Sequence, residues 1–382
     1  METTKGDLAQ HWGMPLIDGG ADESTPEFTA EIKSRYKPTK GGLIVEQRGA
    51  KQVNYFVSTS EFELWLGELE GVLGNTFGRK LAHSIAESEE LYLSKLIEEM
   101  PSPLFSKMKK RLLWINEDLD LRGFGFIEIL SESKIEKKVI IHDRPHSAIG
   151  AGVIASSIEQ IAGQRYRFHW TDDGSSDCLV TLEIDSRHIP PAIKIDKRWK
   201  DSDSSVHQAD GMHPLELAYK ESRGRWSIDG IRMVGLRQDV FLRLEESIIP
   251  QLVNFEFQNL DKFSWNSIND KERKKCWSGM ASASLNRFLS VDAMVLVAEP
   301  DHWVHVGHRF LTRVGLGGVK SAESIDDLGG VRLHLPRLFH PALVCGILTA
   351  AWERAEARPG RCTWRCDHNG HFVEISALHD LA

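Results

Sequence analysis

From Phe62 onward apolar residues fall at Trp65, Leu66, Leu69, Val72 and Leu73, just behind the cluster Ser58-Thr59-Ser60. That spacing places them on one face of a helix, and the hydroxyl side chains supply its N-cap. A second such face runs through Phe241, Leu244, Ile248 and Leu252, where Pro250 is expected to kink the helix. After each helical stretch the pattern shortens to strand-like runs. In the first half these are Gly123-Phe-Gly-Phe-Ile-Glu-Ile and Lys138-Val-Ile-Ile-His, then a small-residue helix from Ala148, then Tyr166-Arg-Phe-His-Trp and Cys178-Leu-Val-Thr-Leu-Glu-Ile. The turn Thr171-Asp-Asp-Gly174 between the last two marks a hairpin.

The second half repeats this order. Gly315-Leu-Gly-Gly, Gly330-Val-Arg-Leu-His, the small-residue stretch from Ala342 and Arg361-Cys-Thr-Trp follow one another at matching intervals. Sliding residues 148–170 onto 342–364 without a gap pairs Ala148 with Ala342, Gly152 with Gly346, Glu159 with Glu353, Arg167 with Arg361 and Trp170 with Trp364. Self-similarity at a fixed offset is the mark of a repeated structural unit. The expected fold is α+β: two tandem pseudo-symmetric domains, each an antiparallel sheet packed with helices. Residues 1–40 lack apolar periodicity and are expected to form a loosely ordered arm. Residues 41–186 make the first domain, 187–228 a polar, turn-rich linker and 229–382 the second, divergent copy.

Each copy resembles the 4-vinyl-reductase or hydrocarbon-binding domain, whose fold is shared with the small subunits of the TRAPP tethering complex. That family follows a Gly-aromatic-Gly turn with strands, a cysteine, a helix of the form Gly-x3-Gly-x2-Glu-x3-Gly and a hairpin Cys-x3-Gly-x3-Cys. Gly152, Glu159 and Gly163 match at the family's spacing, with Ser156 at the second glycine, and Gly174 and Cys178 are kept. Ser147 and Trp170 stand where two of the cysteines belong. The second copy has Gly346, Glu353 and Cys366-x3-Gly370, with Pro341 in place of the first cysteine. The resemblance implies binding or sensing of a hydrophobic small molecule. It leaves open a reductase-like or tetrapyrrole-handling enzyme, and a protein-interaction scaffold of the TRAPP-subunit kind. The two copies are expected to pack as an intramolecular pseudo-dimer.

Composition narrows the setting. Hydrophobic residues make up 41% and charged residues 27% of the 382, and the mean hydropathy is -0.30, values of a chain that folds in water. The longest nearly uncharged apolar stretch, 342–352, is too short to span a bilayer. A formal net charge of -8 argues against a broad nucleic-acid-binding face. The run Lys107-Met-Lys-Lys-Arg111 reads as a solvated helix face, with RNA or anionic lipid as the alternative. Five cysteines, an odd number, fit a reducing compartment, and no basic leader precedes an apolar segment. A cytoplasmic location is the expectation.

No Gly-x-Ser-x-Gly, His-Glu-x-x-His or Walker-type loop occurs, so no catalytic residue is assigned. An apolar ligand pocket is expected where the first helix, the Gly-x-Gly turn and the small-residue helix bury their faces, drawing on Trp65, Leu69, Phe124 and Val153. Trp352 replaces Ile158 in the second copy and would fill such a space there. Glu159 and Glu353 sit at matching positions in apolar surroundings. They are either raised-pKa carboxylates for proton transfer or ligand binding, or caps paired with an arginine such as Arg167 or Arg361. No cofactor is expected. A zinc ion held by Cys362, Cys366, His368 and His371 is the alternative, since thiolates and imidazoles in fours suit tetrahedral zinc. His302, His305 and His308, spaced by three behind Pro300-Asp301, would spiral around a helix and not share a face.

Overall fold

A computed structural model describes residues 24–48, 51–99, 107–206, 212–256 and 262–378. It is an α+β protein, with three sheets among the described residues. Residues 1–23 of the expected N-terminal arm lie outside the described residues. Residues 24–35 form helix α1 (Ser24–Arg35), which buries Phe28 and Ile32, one turn apart on one face. Among the described residues no helix is long and apolar enough to cross a membrane.

The central sheet draws strands from both halves. Strands β1 (Tyr36–Pro38), β2 (Ile44–Glu46) and β3 (Val53–Ser58) come before the first helical layer. Strands β8 (Tyr219–Ser222) and β9 (Arg225–Ile228), both within the expected linker 187–228, and β10 (Ile231–Arg237) complete the sheet. The order is β1-β2-β3-β10-β9-β8, antiparallel throughout. The seam is β3 on β10, where Phe56 faces Gly235 while Asn54 pairs with Arg237 and Ser58 with Met233. A side chain at Gly235 would collide with the Phe56 ring, which its Cβ would approach to 2.9 Å. Both faces of β3 are covered, because Tyr55 and Val57 enter the main core while Phe56 joins Phe28, Tyr36 and Trp226 beneath α1.

After β3 the first half runs α2 (Thr59–Leu73), α3 (Gly78–Glu99), α4 (Lys107–Arg122), β4 (Phe126–Glu132), β5 (Glu136–His142), α5 (Ser147–Ala162), β6 (Tyr166–Thr171) and β7 (Cys178–Ile184). After β10 the second half runs α6 (Gln238–Ile248), β11 (Phe263–Trp265), α7 (Lys271–Ser290), α8 (His302–Phe310), β12 (Ser321–Ser324), β13 (Val331–Leu335), α9 (Pro341–Glu356), β14 (Gly360–Asp367) and β15 (Gly370–Ala377). The two remaining sheets have the orders β4-β5-β7-β6 and β12-β13-β15-β14, the second extended by β11, which pairs parallel with β14. Pro250 falls in a 3₁₀ turn just after α6, where its missing N–H ends the helix.

The first helix of each half packs across the seam. α2 lies on α7 and α6 lies on α3, while α5 and α9 lie on α3 and α7 of their own halves. Glycine makes the last two contacts possible. A Cβ at Gly152 would sit 2.4 Å from the Ala82 carbonyl oxygen, and one at Gly346 would sit 2.2 Å from that of Ala281. The Gly-x-Gly turns also reach across. Gly123 and Gly315 hold positive φ, and a Cβ there would meet the carbonyl oxygens of Met233 on β10 and Asn54 on β3 at 2.4 and 2.5 Å.

Residues 199–206 of the expected linker cross the second half as a strap anchored by Trp199, which is buried against Trp277 and His340. Asp201 accepts from His371, and Val206 N donates to the Lys40 carbonyl. Residues 207–211 lie outside the described residues. On α4 the basic side chains Lys109 and Lys110 are exposed.

Candidate functional site

The seam between α2 and the second half encloses a small cavity. Its walls include Tyr55 from β3, Phe62 and Trp65 from α2, Phe241 from α6, and Leu343 and Ile347 from α9. Ser58 caps α2 by accepting from Glu61 N at 3.1 Å, which fixes the helix start and aims Phe62 and Trp65 inward. The rings of Trp65 and Phe241 stand 5.6 Å apart and tilted. Polar groups border one side. Trp65 Nε1 donates to Ser284 Oγ at 3.1 Å, and Arg287 Nη1 donates to Glu61 Oε1 at 2.9 Å. Burial pushes the nearby Tyr55 phenol up to about 12, with the Arg287 charge opposing, so it stays neutral. The space open to the centre of a water molecule is about 10 Å³, roughly what one water needs.

Of the expected pocket residues, Trp65 lines this cavity. Leu69 is buried one turn further along α2, on the face that meets α7. Phe124 is buried beneath the Arg122 guanidinium, whose carbon stands 4.2 Å from the ring centre. Val153 is buried on α5, the helix packed on α3. The exchange of α2 and α6 separates Trp65 and Leu69 from Val153, and it brings Ile347, the residue 194 positions beyond Val153, to Trp65 instead. Trp352 lies further along α9, where its Nε1 donates to the Gly329 carbonyl at 2.8 Å.

Glu159 and Glu353 hold matching structural positions. Glu159 Oε1 accepts from Tyr166 N and Glu353 Oε1 from Gly360 N, each at 2.8 Å, tying the helix to the strand that follows it. Their ion partners are Arg165 at 2.8 Å and Lys262 at 2.7 Å. Arg167 turns to Glu183 and Arg361 to Ser376. Burial raises the Glu159 carboxyl against the pull of its hydrogen bonds from Tyr166 N and Arg165.

The terminal hairpin places Cys366 directly opposite His371, but the His371 Nε2 faces Asp201 Oδ1 at 3.0 Å. Cys362 is buried, and all five cysteines are unpaired. Among the described residues no three His, Cys, Asp or Glu side chains group so as to hold a metal ion.

Sequence reasoning did not single out His146 and His340, which are again 194 residues apart and cap α5 and α9 by accepting from Ala148 N and Ala342 N at 3.2 Å. The recurring offset was the signal that could have found them. His340 also reaches Glu245 of α6 at 3.0 Å, and Arg273 of α7 pairs with the same carboxylate. Burial works to raise Glu245, and these partners outweigh it and hold the carboxyl below its ordinary value. A larger buried network joins Arg35, Arg122 and Arg237 to Glu46, Glu89 and Asp118, with Tyr92 donating to Asp118 at 2.6 Å. Three guanidinium groups face three carboxylates, so the charge closes. Nothing in the local sequence around these residues marks them, since their partners lie up to 191 positions away.

No family model, curated protein or solved structure matches the chain.

Proposed function

We propose that the chain is a non-enzymatic module that binds a small hydrophobic molecule, built as two fused hydrocarbon-binding-type units that form an intramolecular pseudo-dimer. The cavity beside Trp65 carries this reading, because apolar walls bordered by a few fixed polar groups are the lining of a small-molecule site, here closed down to the space of one water. In support of the fused pair are the shared strand order of the two outer sheets, the reciprocal crossing of α2 and α6, and the matched caps at His146 and His340. The resting cavity admits one water, so a ligand enters as α2 lifts from α7. That motion couples uptake to β3 and the central sheet and suits a sensor, since a ligand shifts a two-state element by its preference for one state. The five free thiols favour the cytosol.

A fluorescent apolar probe such as 1-anilinonaphthalene-8-sulfonate tests this directly. Saturable binding of one probe per chain is expected, and Ile347→Trp, which fills the cavity, is expected to abolish it at a cost of about 1–3 kcal/mol in stability. Absence of saturable binding by the parent protein, or unchanged binding by the folded variant, refutes the proposal.

A further inference from the structure

In the second half the edge of the outer sheet is covered from within the chain. β11 pairs parallel with β14, Phe263 opposite Cys362 and Trp265 opposite Trp364. Asn266 N donates to the Trp364 carbonyl at 2.9 Å, and Ser267 Oγ accepts from Cys366 N and donates to the Cys366 carbonyl. Phe263 and Trp265 are buried, and Trp265 Nε1 donates to Ser278 Oγ of α7 at 2.9 Å. β11 comes from the stretch between α6, which ends at Ile248, and α7, which begins at Lys271. In the first half α2 and α3 are joined by residues 74–77 alone, a link too short to lay a strand beside β6.

β6 presents the matching edge bare. Tyr166 N turns outward to Glu159 as Gly360 N turns outward to Glu353. The Arg165 carbonyl accepts from Asp185 N, so odd-numbered residues of β6 bond toward β7 and even-numbered ones direct their N–H and C=O away from it. Those of Phe168 and Trp170 meet no partner among the described residues. Their half-buried rings stack 6.4 Å apart, and the exposed His83 of α3 stands 5.0 Å from Phe168. Trp364, which matches Trp170, is fully buried and has Trp265 at 6.2 Å. Arg79 of α3 and Ser278 of α7 each precede by three residues the carbonyl that a glycine of the facing helix touches, and Arg79 is exposed. A guanidinium cannot accept from an indole as Ser278 does, but it takes an aromatic ring on its flat face. We propose that the edge of β6 binds an extended segment of a partner protein with aromatic side chains two positions apart, seated over Phe168 and Trp170 as β11 is seated on β14. In strand addition of this kind main-chain bonds give affinity and alternate side chains give specificity. β11 runs parallel to its partner, a direction that two β6 strands related by a two-fold axis cannot adopt. The site does not depend on the cavity beside Trp65.

The probe is the peptide of residues 262–267, Lys-Phe-Ser-Trp-Asn-Ser, titrated into the full chain by calorimetry beside a control peptide carrying Phe263→Ser and Trp265→Ser. The aromatic peptide is expected to saturate one site per chain with a Kd below about 1 mM, and the control to bind about ten-fold more weakly or less. Hydrogen exchange in residues 166–171 is expected to slow on binding, with that in residues 362–366 unchanged. Trp170→Pro removes an outward N–H and leaves the ladder to β7 intact, which an edge position tolerates. Trp170→Lys keeps that N–H and removes the apolar seat. Each variant is expected to weaken the peptide at least about ten-fold. No saturation at millimolar peptide, equal binding of the two peptides, or undiminished binding by either folded variant overturns the proposal. Protection at 362–366 in place of 166–171 would mean that the peptide displaces β11, and it overturns the proposal as well. So does a dimer of the free chain in sedimentation that Trp170→Pro dissociates, since the edge would then belong to a second copy.

Discussion

At Gly152 and Gly346 the backbone of a small-residue helix touches the carbonyl of its neighbour so closely that even a methyl group has nowhere to go. Gly152→Ala and Gly346→Ala are each expected to lower stability by about 3 kcal/mol in urea unfolding, the cost of forcing apart two packed helices. Gly67 on α2 is the contrast, because a Cβ there meets nothing within 4 Å. Gly67→Ala is expected to raise stability by about 0.5–1 kcal/mol through the helix preference for alanine. Equal effects at the three positions would contradict the packing argument. The repeated identities Gly152/Gly346 and Glu159/Glu353 thus acquire separate meanings, one a steric allowance and the other a cap on the following strand.

At the scale of elements, the exchange of α2 and α6 decides what the halves can do alone. The Trp65-Leu69 face of α2 is covered by α7, with Glu61 on Arg287 and Glu68 on Asn286 at the rim. Fragment 24–206 would bare that apolar face together with the unpaired edge of β3, both routes to aggregation. Pairing β3 with a second β3 would set two Phe56 rings where one ring now faces Gly235, so self-association does not replace the lost partner. Expressed alone, fragments 24–206 and 212–378 are expected to be aggregated, and expressed together to elute as a one-to-one complex in size-exclusion chromatography. A monodisperse, cooperatively unfolding monomer of either fragment would show that the exchange is dispensable.

Across the whole molecule, charge is buried in closed groups that span both halves. Arg237 at the end of β10 meets Glu89 of α3 at 2.8 Å and Glu46 of β2 at 3.3 Å. Such a network adds little net stability while intact, yet removal of one partner costs about 3–5 kcal/mol, because it strands a buried charge. Its pH dependence follows from the direction of the shifts. Burial tends to raise Glu46 and Asp118, and the arginines outweigh it and hold both below their ordinary values of 4.5 and 3.8. Glu245 behaves alike. Their contribution is complete above about 4.5 and is lost as pH falls through the lower folded values. His213 titrates earlier. Burial lowers it from 6.5 to about 4, so the unfolded chain takes the proton first and stability falls between those values. Thermal melts are therefore expected to show a shallow decline in Tm from pH 6.5 to 4, steepening below 4.5. His213→Asn, which retains a capping side chain, is expected to lessen the first part, to which His83, His146 and His371, also lowered by burial, contribute, and to spare the second. A Tm independent of pH between 7 and 4 would contradict both assignments.

The sequence by itself determined the elements, because helix spacing, N-cap hydroxyls, turn glycines and β-branched runs act over a few residues. The helix behind Ser58, the Gly-x-Gly turns with positive φ and both terminal hairpins stand where those local rules put them. The order of the elements was legible for the same reason. Tertiary structure alone decided which half each helix covers. An amphipathic face specifies that it must be buried, and not against what, so Trp65 was paired with Val153 in the reading of the sequence and meets Ile347 in the fold. The same holds for the buried ions. Arg35, Glu89 and Arg237 look like surface residues in sequence, and only the convergence of α1, α3 and β10 places each charge within reach of its opposite and makes burial tolerable.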